Sequence, residues 1–189
     1  MKILCISSGL APESRSEQLA KLCVTTLLDK GVDTDFISLK DFRLDPFDPH
    51  TIFETSNYRE LTKRVIAAEG LVLASPVYNW GFSSELKKFI EYVGSTDETR
   101  TTPLFDKTIT LVCSAGLPHS YMAFTPLATS LMMDFKCIIN PYTVYVHNRQ
   151  WEHGVLQKEA KARVEKSMFV MTEITALLQR RTYRSEWEI

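Results

Sequence analysis

Three short stretches hold residue types whose grouping suggests chemistry. The first, "SGLAPESRSEQLA" from Ser8 to Ala20, follows an apolar run and turns into a helical pattern, with Gly9, Ser14, Arg15 and Ser16 at the handover. Two hydroxyls, a guanidinium and the free N–H groups of a helix start are suited to a phosphate. The competing reading is an ordinary cap: Ser14 and Glu17 fit the S-x-x-E pattern, in which each side chain satisfies the other's backbone N–H. Glu17 also opposes a phosphate unless its carboxylate points away. The second stretch, "SPVYNWGFSSELKKF" from Ser75 to Phe89, gathers Pro76, Val77, Tyr78, Asn79, Trp80, Gly81 and Phe82. Its aromatics suit a platform for a flat ring, with backbone at Tyr78 and Asn79 free to bond the ring edge. Packing on a neighbouring helix or a subunit interface is the alternative. The third, "SAGLPHS", places Ser114, Ala115, Gly116 and Leu117 before Pro118 and His119. Small residues let backbone approach a ligand closely; alone this is a weak signal.

Other chemistries fail residue by residue. None of the seven glycines forms GxGxxG or GxxxxGK[ST]. A C-x5-R phosphatase loop counted from Cys5 meets Ala11, and counted from Cys113 meets His119. A receiver-type acidic pocket wants an aspartate ending the third strand, where Ser75 stands. His147 and His153 flank "NRQWE" without metal-site spacing and read as surface. His119 reads as a solvated loop histidine. No metal site and no proton-transfer residue is expected.

The elements that must position these stretches alternate along the chain. "KILCIS" reads as a strand, and Leu19, Leu22, Cys23, Thr26 and Leu27 mark one helix face, closed by Gly31. "VDTDFISL" suits an edge strand, and "DFRLDPFDPH" a loop. Tyr58, Leu61, Val65 and Ala68 line a second helix, and "GLVLAS" is a strand buried on both faces. Leu86, Phe89, Ile90 and Val93 form a third helix, ended by Gly94. "TITLVCS" is a fourth strand. Phe124, Leu127, Ala128, Leu131, Met132 and Phe135 form a fourth helix. "CIINPYTVYV" is a fifth strand interrupted by Pro141. Val164, Met168, Met171 and Leu178 mark a last helix. Five strands alternating with five helices predict an α/β fold, an open parallel sheet covered on both faces. With strand order 2-1-3-4-5, ligands sit beyond the carboxyl ends near strands one and three. All three stretches fall there.

The totals set bounds. At 189 residues the chain is long enough for one sizeable domain, assigned to 1–180, with a polar, loose or partner-bound tail at 181–189. A net charge of −1 gives no reason to expect nucleic acid. The apolar runs are strand length, so no membrane span or signal peptide is expected. Cys5, Cys23, Cys113 and Cys137 are widely spaced and read as reduced core thiols of a cytoplasmic protein.

Taken together, Ser14-Arg15-Ser16, the "SPVYN" segment and the "SAG" loop resemble the NAD(P)H-dependent FMN reductases of the flavodoxin-like fold. The alkanesulfonate-associated FMN reductases, with an "SRS" turn and a "TPVY" segment, are the nearest likeness, which extends to about Val146. The resemblance implies a three-layer sandwich. It implies FMN phosphate held by Ser14, Arg15 and Ser16, and the isoalloxazine ring against Pro76 to Asn79 and Ser114 to Leu117. Two departures stand out. The family's Gly-Ser at the end of the first strand is Ser8-Gly9 here, leaving Ser7 or Ser8 as substitutes for a missing hydroxyl. Trp80 stands where a small residue is common. The implied activity is hydride transfer from NADH or NADPH to FMN and on to free flavin or another acceptor. A quinone or azo-dye reductase of the same fold is the alternative, and a non-enzymatic flavin electron carrier a more distant one. The resemblance also implies a homodimer or homotetramer, and a monooxygenase partner in the flavin-supply version.

Overall fold

The structure, a computed structural model, describes residues 1–95 and 101–187. Its strands are β1 (Lys2–Ser7), β2 (Asp33–Ser38), β3 (Gly70–Tyr78), β4 (Gly81–Phe82), β5 (Thr108–Ala115), β6 (Ile138–Ile139), β7 (Val144–His147), β8 (Trp151–Glu152) and β9 (Val155–Leu156). The helices are α1 (Arg15–Leu28), α2 (Ser56–Ile66), α3 (Ser84–Gly94), α4 (Thr125–Phe135) and α5 (Lys158–Leu178).

The parallel sheet runs β2-β1-β3-β5, and both β6 and β7 pair with β5. This is the order 2-1-3-4-5 with two local differences. The expected loop after the third strand is instead a hairpin, whose return strand β4 pairs antiparallel with β3. The fifth strand is split at Pro141, which has no N–H to give a ladder. Buried Asn140 bridges the break: its Nδ2 donates to Thr110 Oγ1 at 3.0 Å and to the Ser167 carbonyl at 2.9 Å, and its Oδ1 accepts from Tyr142 N at 3.0 Å.

Side chains alternate across a strand, so each central strand feeds two cores. Leu4, Ile6, Leu71, Leu73, Ile109 and Leu111 face one way and pack with Leu61, Phe89 and Leu131 of α2, α3 and α4. Ile3, Cys5, Val72, Ala74 and Val112 face the other way and pack with Leu19 and Cys23 of α1 and Val164 and Met168 of α5. The result is the expected three-layer α/β arrangement.

Two expectations need correction. Met132 is 49% exposed, so the buried face of α4 is Leu127, Leu131 and Phe135. Gly94 ends α3 as expected, and a Cβ there would lie 2.6 Å from Phe135 Cζ, so it also lets α3 and α4 approach. The tail is docked rather than loose. Ser185 donates to both Asp106 oxygens, from N at 2.9 Å and Oγ at 2.6 Å, and Trp187 meets Phe105 and Phe135 edge-on at 5.3 and 6.1 Å. Residues 188–189 of the tail lie outside the described residues.

Candidate active site

The register brings the three stretches together at one edge of the sheet. Ser7 lies beside Ala74, and Pro76 beside Ser114. The ends of β1, β3 and β5 are therefore neighbours, and the chain leaving each contributes to the same shelf.

At the first stretch, α1 begins on Ser14, whose hydroxyl accepts from Glu17 N at 3.4 Å. Only half of a capping box forms. The Glu17 carboxylate does not return to Ser14 N, which bonds the Ala11 carbonyl instead. It takes Lys21 at 2.7 Å, Lys40 at 2.6 Å and Ser38 Oγ at 3.2 Å. Burial pushes this carboxyl up, but the hydrogen bonds and charges of Lys21 and Lys40 outweigh it and hold it below the usual range. Its charge is thus matched by two ammonium groups. The Ser14 and Ser16 hydroxyls pair at 2.8 Å, both buried. Gly9 closes the cradle: a Cβ on it would lie 1.9 Å from Ser14 Oγ and 2.5 Å from Ser16 Oγ. The first-turn N–H groups of Arg15 and Ser16 have no partner within the helix. Arg15 lies with its guanidinium 4.4 Å from the centre of the Trp151 ring and donates to Gln18 Oε1 at 3.1 Å. A cleft of about 410 Å³ runs beside it, between Glu13, Lys21 and Gly154.

Ser8 presents no spare hydroxyl at the cradle, whereas Ser7 Oγ accepts a bond and keeps its proton to donate. Ser7 Oγ accepts from Gly9 N at 3.4 Å, and Ser8 Oγ is bonded to the Ala74 carbonyl and Ser83.

At the second stretch, Pro76, Val77 and Tyr78 belong to β3, and Val77 and Tyr78 pair with Phe82 and Gly81. Asn79 and Trp80 make the two-residue turn with φ of 48° and 63°. Positive φ at both positions is the hairpin geometry that matches strand twist. Asparagine tolerates it; tryptophan does so at a cost in strain. The turn holds Tyr78 and Trp80 outward, 58% and 63% exposed.

At the third stretch, Ser114 and Ala115 are buried within β5, and the exposed loop starts at Gly116 and Leu117. Tyr145 of β7 pins this loop: its hydroxyl donates to the Leu117 carbonyl and pairs with Ser120 Oγ at 3.0 Å. His119 is exposed, as is Tyr121.

The segment after β7 went unread in the sequence. A 3-10 turn at Asn148–Gln150 and the hairpin β8–β9 fold over the start of α1, which is how Trp151 reaches Arg15. The signal was present in His153-Gly154, which adopt φ of 48° and 83° in the turn. His147 is not simply surface. It ends β7 opposite Ala115 and caps the turn that follows, its backbone N–H donating to Gln150 Oε1 at 3.2 Å. Burial, then Arg149 and Arg163, lower its pKa and favour the neutral ring. Among the described residues, no group of three or more His, Cys, Asp or Glu is placed to hold a metal, and no helix is long and apolar enough to cross a membrane.

The family model described as NADPH-dependent FMN reductase matches residues 1–150. An iron-sulfur flavoprotein of Methanocaldococcus jannaschii is 30% identical over 98 residues, 48% of this chain and 51% of that protein. An FMN reductase (NADPH) of Pseudomonas putida is 30% identical over 91 residues, 47% of this chain and 46% of that one. The matched region thus spans about half the length of these curated relatives. An oxidoreductase structure from Corynebacterium diphtheriae shares the fold with a TM-score of 0.72 at 19% identity, over 96% of this chain and 98% of that one.

Proposed function

The chain belongs to the NADPH-dependent FMN reductase family, and on that premise we propose that it holds FMN across the ends of β1, β3 and β5. In this reading it passes a hydride from NADH or NADPH to a small-molecule acceptor. The observation that carries the reading is the cradle of Gly9, Ser14 and Ser16 at the start of α1. Two buried hydroxyls are held 2.8 Å apart over a glycine whose missing Cβ leaves the space. A phosphate fits that donor set. It can take both hydroxyls and the N–H groups of Arg15 and Ser16, and the partial positive charge of the helix start favours it. Glu17, tied up by Lys21 and Lys40, does not oppose it. Arg15 supplies the formal cation, reaching across from the Trp151 face.

The ring lies, in this reading, over Pro76 to Asn79, with Ser114 to Leu117 forming the other wall. When bound, FMN supplies hydride acceptance from nicotinamide. The protein's own part is to hold and orient. The strained Asn79-Trp80 turn fixes backbone N–H groups at the ring edge, and the Tyr145 hydroxyl keeps the Leu117 loop from drifting. No side chain is assigned a proton transfer. Exposed Tyr78 and Trp80 leave a flat, open face suited to a planar acceptor: free flavin, quinone or azo compound.

Residues 1–180 act as one FMN-binding domain in this reading, working as a homodimer or homotetramer, with a monooxygenase partner if reduced flavin is the product. Four buried thiols, three of them pushed up to about 12 by burial, fit a reduced cytoplasmic setting.

The test is steady-state oxidation of NADH and of NADPH by the purified chain, with and without FMN and with riboflavin, quinone or azo dye added. FMN-dependent turnover supports the reading. A chain that stays colourless and binds no added FMN overturns it.

A further inference from the structure

Three buried serines join the two halves of the site. Ser8 lies in the turn leading to the phosphate cradle, Ser75 near the end of β3, and Ser83 at the start of α3, where the hairpin ends. All three are under 4% exposed. Ser83 Oγ donates to Ser8 Oγ at 2.7 Å, and Ser8 Oγ donates onward to the Ala74 carbonyl at 3.3 Å. Ser83 Oγ also accepts from Leu86 N at 3.3 Å as the cap of α3. Ser75 Oγ accepts from Ser83 N at 2.9 Å and donates to the Pro76 carbonyl at 2.9 Å. Each hydroxyl has one proton, and each proton has a place in this chain of bonds. The segment before Ser14 and the segment after Trp80 are therefore tied to each other directly, and not only through the strands below them.

We propose that the Ser8–Ser83 bond is a positioning device that sets the distance between the phosphate cradle and the ring shelf. This rests on the FMN reading above and deepens it. A ligand whose anionic end sits at Ser14 and Ser16 and whose ring sits at Pro76 to Asn79 must engage both at once. It binds well only when the two are held at the right separation, since positioning fixed before binding is not lost on binding. A ligand that engages the ring shelf alone is indifferent to that separation. The bond is buried, so water does not replace it when one partner is removed.

The test compares FMN with riboflavin, which carries the same ring and no phosphate. The full-length apoprotein is titrated with each, following flavin fluorescence, for wild type, Ser8→Ala, Ser83→Ala, the double variant and Ser83→Thr. The riboflavin-to-FMN ratio of Kd values measures what the phosphate contributes. Loss of the bond lowers that ratio about tenfold in either alanine variant, the scale of one buried hydrogen bond. Riboflavin affinity changes less than about threefold. The double variant has a ratio no lower than the single ones, because each single variant already removes the shared Ser8–Ser83 bond, and Ser83→Thr restores the ratio. Ser8→Ala leaves the cap of α3 in place and decides the matter alone if Ser83→Ala does not fold. A ratio within twofold of wild type in Ser8→Ala, or losses that add in the double variant, overturns the proposal while leaving the FMN reading intact. Failure of wild type to bind FMN overturns both.

Discussion

Replacing Gly9 with alanine tests the phosphate cradle without touching a charge. Gly9 is not in the left-handed backbone region, so an alanine there meets no backbone penalty, and its effect is the added Cβ. That atom would lie 1.9 Å from Ser14 Oγ, where real contacts hardly fall below 3.0 Å, so the hydroxyl must withdraw by more than 1 Å. Two interactions go with it: the cap bond from Glu17 N and the 2.8 Å pairing with Ser16. Each is worth about 1 kcal/mol, so the apoprotein loses about 2 kcal/mol. For a chain of this size that lowers Tm by about 4–8 °C. FMN loses more than stability does. A hydrogen bond to a charged phosphate is worth about 1.5–3 kcal/mol, so displacing one hydroxyl weakens FMN at least tenfold. Riboflavin, with no phosphate, keeps its affinity within about threefold. The assay is a thermal melt of apoprotein beside fluorescence titrations with both flavins. A Tm that falls while FMN affinity stays within twofold of wild type would refute the reasoning, because the hydroxyls would then cap the helix and hold nothing else.

Other outcomes follow from the same structure. Arg15→Ala weakens FMN sharply, by about tenfold or more, and leaves turnover at saturating FMN little changed, as steady-state kinetics against FMN concentration will show. Trp80→Gly relieves a left-handed tryptophan that is 63% exposed and packs little, so it raises stability by about 1 kcal/mol and Tm by about 2–4 °C in a thermal melt. Glu17→Gln removes a carboxylate whose folded pKa is depressed, so the stability it contributes is present above the ordinary glutamate range and lost as pH falls through the lower folded value. The variant is less stable than wild type by about 1 kcal/mol at pH 7, and the gap closes below about pH 4, in denaturant melts run across pH. Removing residues 181–189 takes away the Ser185 bonds to Asp106 and the two aromatic contacts of Trp187. It destabilises the chain by about 2 kcal/mol in urea unfolding.

The layered fold was legible because its signals are periodic. Leu71 and Leu73 against Val72 and Ala74 announce a strand buried on both faces, and Leu19, Cys23 and Leu27 announce a helix that covers one of them. Gly94 was legible as the end of α3, but its packing role was not, because that depends on Phe135, some 40 positions later. The tail misled because its polar residues are satisfied by Asp106, a partner some 80 positions earlier. At the site, the three stretches were legible from residue type. Their hydrogen bonding was not. Ser8 looked like a spare phosphate ligand until Ser83 was seen to take it. The approach of Trp151 to Arg15 depends on a two-strand hairpin too short to leave a periodic trace.

The central claim is that the phosphate of FMN docks on Ser14 and Ser16 at the start of α1. A crystal structure of the chain with FMN measures this most directly. The account predicts phosphate oxygens within hydrogen-bond distance of both hydroxyls and of the Arg15 and Ser16 N–H groups, with the ring over Pro76 to Asn79. Phosphate density elsewhere on the chain, or none at saturating FMN, contradicts it.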